Sequence, residues 1–254
     1  MRIVSLDYCA DQYVLSLAER EQILALSPDA KKNYSYLRKE AIGIETVRPN
    51  TEDVLALQPD LVVRSYGGGP NVTGFMQAAG VPVLQVNLAT AIDGESEGAI
   101  PNVIQTMADS LGVSERGETL VESYRRRLAD LPKALEDKTV DVLYITPAGY
   151  TTGSGSLIHS MLGYAGLTNF VSAPGWRPIP LERLVYDKPD IVAASFFDTT
   201  SKDTAIWSPS RHPVAQQQLV DSKTIQLPGA WTACGAWFIV DAIEALAEKR
   251  ASIQ

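Results

Sequence analysis

The sequence predicts an α/β protein built from two Rossmann-like lobes with parallel sheets, joined by a single long α-helix. Three observations carry that expectation. Short β-branched runs alternate with helical patterns along the chain, one central segment reads as a long amphipathic helix, and a twelve-residue pattern before that helix recurs after it.

The alternation begins with Ile3-Val4-Ser5-Leu6 as a strand and Asp11 to Leu26 as a helical stretch. Leu61-Val62-Val63 precedes a helix over Thr73 to Ala79, and Val83 to Val86 precedes one over Ala99 to Leu111. The second half repeats the scheme with Val140 to Ile145, Ser156 to Tyr164, Ile191 to Ala194, and Thr232 to Lys249. Strands separated by helices at this spacing run parallel and are covered on both faces.

Between the halves, Ser114 follows Gly112 as a candidate N-cap, and Leu120, Tyr124, Leu128 and Leu131 or Leu135 recur three or four residues apart. Arg125, Arg126, Arg127 and Asp130 fall on the opposite, wet face. At 1.5 Å per residue the helix would span roughly 33 Å. The stretch Glu52 to Val63, ending Gln-Pro-Asp-Leu-Val-Val, aligns with Glu182 to Ala193, which contains Lys-Pro-Asp-Ile-Val. In each, proline ends a short helix because the residue before it avoids the helical region, and an apolar strand follows. The expected division is therefore 1–113, a bridging helix over 114–136, and 137–254.

Charge and motifs narrow the function. The 254 residues carry 22 Lys+Arg against 30 Asp+Glu, a net charge of −8. Phosphate contacts need a basic face, so a nucleic-acid partner is not expected. Apolar runs such as Ala236 to Val240 are far shorter than the ~20 residues that cross a bilayer. Neither a dinucleotide fingerprint, nor a P-loop, nor a nucleophile elbow is present. The two histidines, His159 in an apolar helix and His212 in a loop, are too few for a multi-histidine metal site. No catalytic set, metal-ligand set or cofactor is expected.

Ligands of open parallel sheets bind at the carboxyl ends of the strands. The loops there hold aromatic, hydroxyl and glycine residues suited to a bulky, partly apolar ligand. The candidate binding residues are Tyr8, Cys9, Tyr34, Tyr36, Tyr66, Tyr150, Thr152, Ser156, Trp176, Phe197, Trp207, Arg211, Trp231 and Cys234. Ser156 opens a helix whose first N–H groups point outward. Cys9 and Cys234 admit three readings: buried inert thiols, a disulfide, or a ligand-facing thiolate.

Several segments, in order, resemble substrate-binding proteins of bacterial ABC importers, in the helical-backbone cluster that takes vitamin B12, ferric siderophores and haem. They are Arg2 to Leu6 with the Asp11 to Leu17 helix, the Glu52 to Val63 stretch, Ala79-Gly80-Val81-Pro82-Val83, Tyr150 to Ser156, Met161 to Asn169, and the second Pro-Asp-Ile-Val. The resemblance implies two lobes gripping a ligand between them and opening only modestly about one rigid helix. It implies no enzyme, but capture of a small-molecule metal chelate (ferric siderophore or cobalamin ahead of haem) and delivery to an ABC permease in the inner membrane. The protein would then be periplasmic or lipid-anchored, with a leader that is not among these residues. Under the same resemblance Tyr34 or Tyr36, Tyr150 and Trp231 match aromatics of the cobalamin pocket. Thr46 and Gln85 stand where relatives have tryptophan, and the family's permease-docking position in the first lobe falls near Pro70, not on a glutamate. Arg177 and Arg211 are candidates to neutralise an anionic ligand. The rival expectation is a cytoplasmic enzyme on the same scaffold, transferase-like or chelatase-like.

Overall fold

The computed structural model describes residues 1–132, 139–196, 211–221 and 223–253. The chain divides into two compact units, one of Met1–Ala89 with Asp93–Ser123, the other of Thr90–Ile92 with Tyr124–Gln254.

In the first unit the order is β1 (Ile3–Ser5), α1 (Tyr8–Leu17), β2 (Ile23–Ala25), α2 (Thr51–Ala56), β3 (Leu61–Arg64), α3 (Val72–Ala78), β4 (Val83–Gln85), α4 (Ile100–Ser110) and the start of α5 (Ser114–Ala129). The strands form one parallel sheet in the order β2-β1-β3-β4, with Ile3 beside Leu61, Val4 beside Val62 and Val62 beside Val83. Val4, Leu6, Ala25, Val54, Val62, Val72 and Met76 close one face of it into a core. Burying each larger apolar side chain contributes about 1.5–3 kcal/mol. The chain leaves β1 for β2 on one side and reaches β3 on the other, so the topological switch lies between the carboxyl ends of β1 and β3.

The second unit contains the rest of α5, then β5 (Asp141–Ile145), β6 (Tyr150–Thr152), α6 (Leu157–Tyr164), β7 (Thr168–Asn169), β8 (Trp176–Pro178), α7 (Leu181–Leu184), β9 (Ile191–Phe196), α8 (Pro213–Asp221), β10 (Lys223–Pro228), α9 (Gly229–Thr232) and α10 (Ile239–Ala251). Its main sheet is parallel, in the order β10-β9-β5-β7, and β6 and β8 pair separately as an antiparallel two-stranded sheet. Leu143, Ile145, Phe170, Ile179, Leu184 and Val192 fill its core. Arg250 of α10 is fully buried, and its guanidinium donates to the carbonyls of Ala165 at 2.8 Å and Pro132 at 2.6 Å. The first of these bonds supplies the free carbonyl at the end of α6 with a donor.

The internal repeat has an atomic basis. Asp60 of the first Pro-Asp turn accepts the backbone N–H of Arg2, just before β1, at 2.7 Å. Asp190 of the second accepts the N–H of Asp141, at the start of β5, at 2.9 Å. Each turn thus pins the entry of the central strand that its own following strand pairs with.

Four local expectations are corrected. The stretch Asp11 to Leu26 is not one helix: α1 ends at Leu17, and Ile23–Ala25 is an edge strand parallel to β1. Ser114 is the first helical residue of α5 and not its cap, and this helix closes at Ala129, making it about 24 Å long. Thr232 ends α9, and α10 begins only at Ile239. Arg127 does not lie on a wet face; it is half-buried and ion-paired with Asp241 at 2.7 Å and Glu244 at 2.5 Å on α10.

Candidate ligand-binding site

At the switch point of the first unit, Asp7 is the N-cap of α1. Its Oδ1 accepts the N–H of Ala10 at 2.9 Å. Its Oδ2 accepts three successive N–H groups from the loop after β3: Ser65 at 2.7 Å, Tyr66 at 3.0 Å and Gly67 at 2.9 Å. One buried carboxylate therefore joins the loops that follow β1 and β3 and satisfies both a helix end and a turn. The loop can come this close only because residue 67 is glycine, since a Cβ there would lie 2.2 Å from the Leu6 carbonyl oxygen.

Tyr8 and Tyr66 stand on that platform, and Tyr34, from the segment after β2, packs against Tyr8. The rings of Tyr8 and Tyr34 meet edge-to-face with centroids 5.0 Å apart, and Tyr8 and Tyr66 meet likewise at 6.0 Å. The Tyr34 hydroxyl donates to Asp29 Oδ1 at 2.9 Å. Burial, followed by that hydrogen bond, pushes the Tyr34 phenol up to about 12. Burial also raises Tyr66, whose hydroxyl is bonded to that of Tyr8, and raises Tyr8 itself. At neutral pH all three are neutral phenols with apolar faces, and Tyr66 is 52% exposed. Such a group offers broad stacking area with O–H tips.

Beneath the tyrosines, α1 carries two buried polar residues, Asp11 and Gln12. Asp11 accepts the Ser27 hydroxyl at 2.6 Å and the Ser27 N–H at 3.1 Å, and burial lifts its carboxyl to about 6. Beside the same strand ends, a cavity of about 370 Å³ begins at Gln85, the last residue of β4, and is lined by Asn87, Glu95, Glu97, Asn102 and Thr106 with Val103 and Met107.

In the second unit, β5 leads by a tight turn into β6, where Tyr150 is 45% exposed. Across the small sheet Thr152 pairs with Trp176, which is 58% exposed, so the two aromatics lie on one face. Trp176 packs edge-to-face on the buried Tyr144, at 6.3 Å between centroids. Burial raises the Tyr144 phenol, while hydrogen bonds with Ser195 and Thr232 pull the other way. Ser195 and Thr232 are themselves bonded, Oγ to Oγ1, at 2.6 Å. Gly153 allows the loop to lie against residues 171–173, where a Cβ would be 2.1 Å from the Ala173 carbonyl oxygen.

The structure places the sequence-derived residues unevenly. Tyr8, Tyr34 and Tyr66 come together in one cluster, and Tyr150 with Trp176 in another. Tyr36 is half-buried, as is Trp231 on α9, and Arg211 is exposed before α8. The Thr152 side chain is fully buried. The Ser156 hydroxyl is engaged within its own turn, accepting the His159 N–H at 3.1 Å and donating to the Gly153 carbonyl at 2.8 Å. Phe197 and Trp207 lie outside the described residues. Cys9 and Cys234 are both buried and both disulfide-bonded, so the inert-thiol and thiolate readings fall. Among the described residues no cluster of three or more His, Cys, Asp or Glu side chains could hold a metal ion. Arg177 bonds the Pro174 carbonyl at 3.0 Å. The sequence reading missed Asp7, Asp11, Gln12, Asp29 and Tyr144. Only Asp7 carried a local signal, an N-cap residue directly before a helix.

Known proteins share the fold and the family of this chain. A curated relative, a cobalamin-binding protein of Halobacterium salinarum, is 26% identical over 226 residues, covering 82% of this chain and 58% of that protein. The chain thus spans less than two thirds of the length of the curated relatives it matches. Among solved structures, the periplasmic heme-binding protein RhuT from Roseiflexus sp. RS-1 superposes with a TM-score of 0.73 at 20% identity, covering 99% of this chain and 98% of that one. The periplasmic vitamin B12 binding protein BtuF of Vibrio cholerae gives 0.68 at 18% identity, covering 99% and 96%. These likenesses show the fold, two α/β units with parallel sheets. The profile of the periplasmic binding protein family matches residues 3–208, more than half of the sequence, and the chain belongs to that family.

Proposed function

We propose that this protein is the substrate-binding component of an ABC importer and captures a metal chelate (a corrinoid, a ferric siderophore or haem) for delivery to an inner-membrane permease. It works in the periplasm or anchored by lipid at the membrane. The division 1–113, 114–136 and 137–254, with the central helix as connector, is part of the same proposal.

The observation that carries this reading is the gathering of accessible aromatic side chains, Tyr8, Tyr34 and Tyr66 in the loops that follow β1, β2 and β3 in one unit and Tyr150 and Trp176 on the small antiparallel sheet in the other. Rigid aromatic faces with few polar tips suit a large planar or partly apolar chelate and leave small polar solutes poorly held. Family membership supports transport as the role, and the relatives named for cobalamin, heme and vitamin B12 support chelates as the cargo. Binding here makes and breaks no covalent bond.

Intrinsic fluorescence of the purified protein, titrated with cyanocobalamin, hemin and a panel of ferric siderophores and corrected for ligand absorption, tests the reading. Saturable quenching by one chelate at sub-micromolar concentration is the expected result. A flat response to every chelate overturns it.

A further inference from the structure

We propose that Gln12 is the positioning residue of the Tyr8–Tyr34 pair: a single buried carboxamide sets the spacing of two rings that lie on different parts of the chain. The inference rests on reading these strand ends as the ligand site, and its mechanical half stands apart from that reading.

Gln12 is fully buried, and every hydrogen-bonding group of its side chain is used. Nε2 donates to the Tyr8 carbonyl at 2.6 Å and to the Ser35 hydroxyl at 3.0 Å. Oε1 accepts the Leu37 N–H at 2.8 Å. One amide plane is thus bonded to the backbone that carries Tyr8, to Ser35 next to Tyr34, and to Leu37 three residues after it. Ser35 is fully buried as well, so the second of these bonds is shielded from water.

The segment that carries Tyr34 needs such a fastening. Residues 27–45 form turns and contain neither an α-helix nor a strand. The segment is closed at its base, where Leu26 donates to Glu45 and Val47 donates to Leu26, both at 2.9 Å. Asp11 holds the root at Ser27. The stretch from Tyr34 to Leu37 is bonded to α1 through Gln12. Burying an amide is costly unless each of its groups is paired, and a fully paired one fixes a single arrangement. The charged and titratable groups around it are Asp11 on the same helix, Arg38, which donates to the Ser35 carbonyl at 3.3 Å, Asp29, and the phenols of Tyr8 and Tyr34.

The test compares Gln12→Leu, which leaves Ser35 and Leu37 without their partner, with Gln12→Glu. A protonated glutamic acid can donate to the Tyr8 carbonyl while accepting the Ser35 hydroxyl and the Leu37 N–H, and burial favours this neutral form at pH 5, whereas the ionised form has no donor for the Tyr8 carbonyl. The ligand-independent readout is NMR of protein carrying labelled tyrosine, following the cross-peak between the Tyr8 and Tyr34 rings, with Tyr34→Phe for assignment. The second readout is affinity for cyanocobalamin and hemin, taken as the ratio to wild type at pH 5 and pH 8. We expect Gln12→Leu to abolish the inter-ring cross-peak and to weaken binding by roughly tenfold or more. Gln12→Glu should keep both at pH 5 and lose both at pH 8. If Gln12→Leu fails to fold, the pH comparison of Gln12→Glu decides alone. An inter-ring cross-peak that survives in ionised Gln12→Glu overturns the proposal. If the cross-peak vanishes as expected but the wild-type protein binds none of the chelates, the positioning role is upheld and the chelate reading is rejected instead.

Discussion

Asp7 Oδ2 accepts the backbone N–H of Gly67 at 2.9 Å, joining residues sixty positions apart at the topological switch of the first sheet. The same oxygen takes the N–H groups of Ser65 and Tyr66, and its partner oxygen caps α1, so one side chain supports both Tyr8 and Tyr66. Asp7→Asn turns one acceptor into a donor facing up to three N–H groups. We expect a loss of about 3 kcal/mol, from unsatisfied buried groups and a weakened cap. For a chain of this size that is a fall of roughly 6–12 °C in Tm. A thermal melt within a degree or two of wild type would show that the platform does not depend on Asp7.

Asp11 makes stability depend on pH in a definite direction. Its carboxyl is raised to about 6 in the folded protein from an ordinary value of 3.8. The folded state therefore holds the proton more tightly than the unfolded chain. The stabilisation this gives is complete below about pH 4 and is lost as pH rises through about 6. The amount is on the order of 3 kcal/mol. Asp11→Asn cannot titrate, so its stability relative to wild type should improve by that order between pH 4 and pH 7. Urea unfolding of both proteins at pH 4, 5, 6 and 7 measures this. A constant difference across the series would mean that Asp11 is not a proton-binding group in this window.

Gly153→Ala places a methyl group where the Ala173 carbonyl oxygen already lies 2.1 Å from the Cβ position. The backbone must move apart, which displaces β6 and with it Tyr150. We expect a loss of about 2 kcal/mol or more in stability, the order found for overpacked sites. We also expect a weakened response in chelate titrations. Gly155→Ala, where a Cβ meets no neighbouring atom but φ is +77°, is the control for backbone strain without the clash. Equal behaviour of the two variants would leave the close approach at Gly153 without consequence.

The two cysteines are both disulfide-bonded. Thiol counting in denaturant should find no reactive thiol before reduction and two after it. Two thiols without reductant would contradict the structure.

Much of the scaffold was legible in the sequence because its signals are local. Pro59-Asp60 and Pro189-Asp190 mark the same turn twice, and the apolar runs after them are β3 and β9. The misreadings arose where tertiary pairing overrode periodicity. Ile23–Ala25 continues an apolar helical pattern yet pairs with β1, and Arg127 belongs to a polar face yet meets Asp241 and Glu244 more than a hundred residues later. The tyrosines of the site were identifiable as residue types at strand ends. Their grouping was not, because it depends on Asp7 reaching Gly67 and on Gln12 reaching Leu37, pairings that no periodicity encodes. The cavity beside Gln85 was missed for a related reason, since its walls come from a loop and from α4, with no motif between them.

If the tyrosine cluster of the first unit binds a metal chelate, calorimetric titration of wild type, Tyr8→Ala, Tyr34→Ala and Tyr66→Ala with the chelate that quenches wild-type fluorescence will show it. Removing one stacking ring should cost on the order of 1–3 kcal/mol, so wild type should bind one chelate saturably and each variant should bind it roughly tenfold or more weakly. Wild-type affinity in all three variants, with folding intact, would place the ligand elsewhere on the protein.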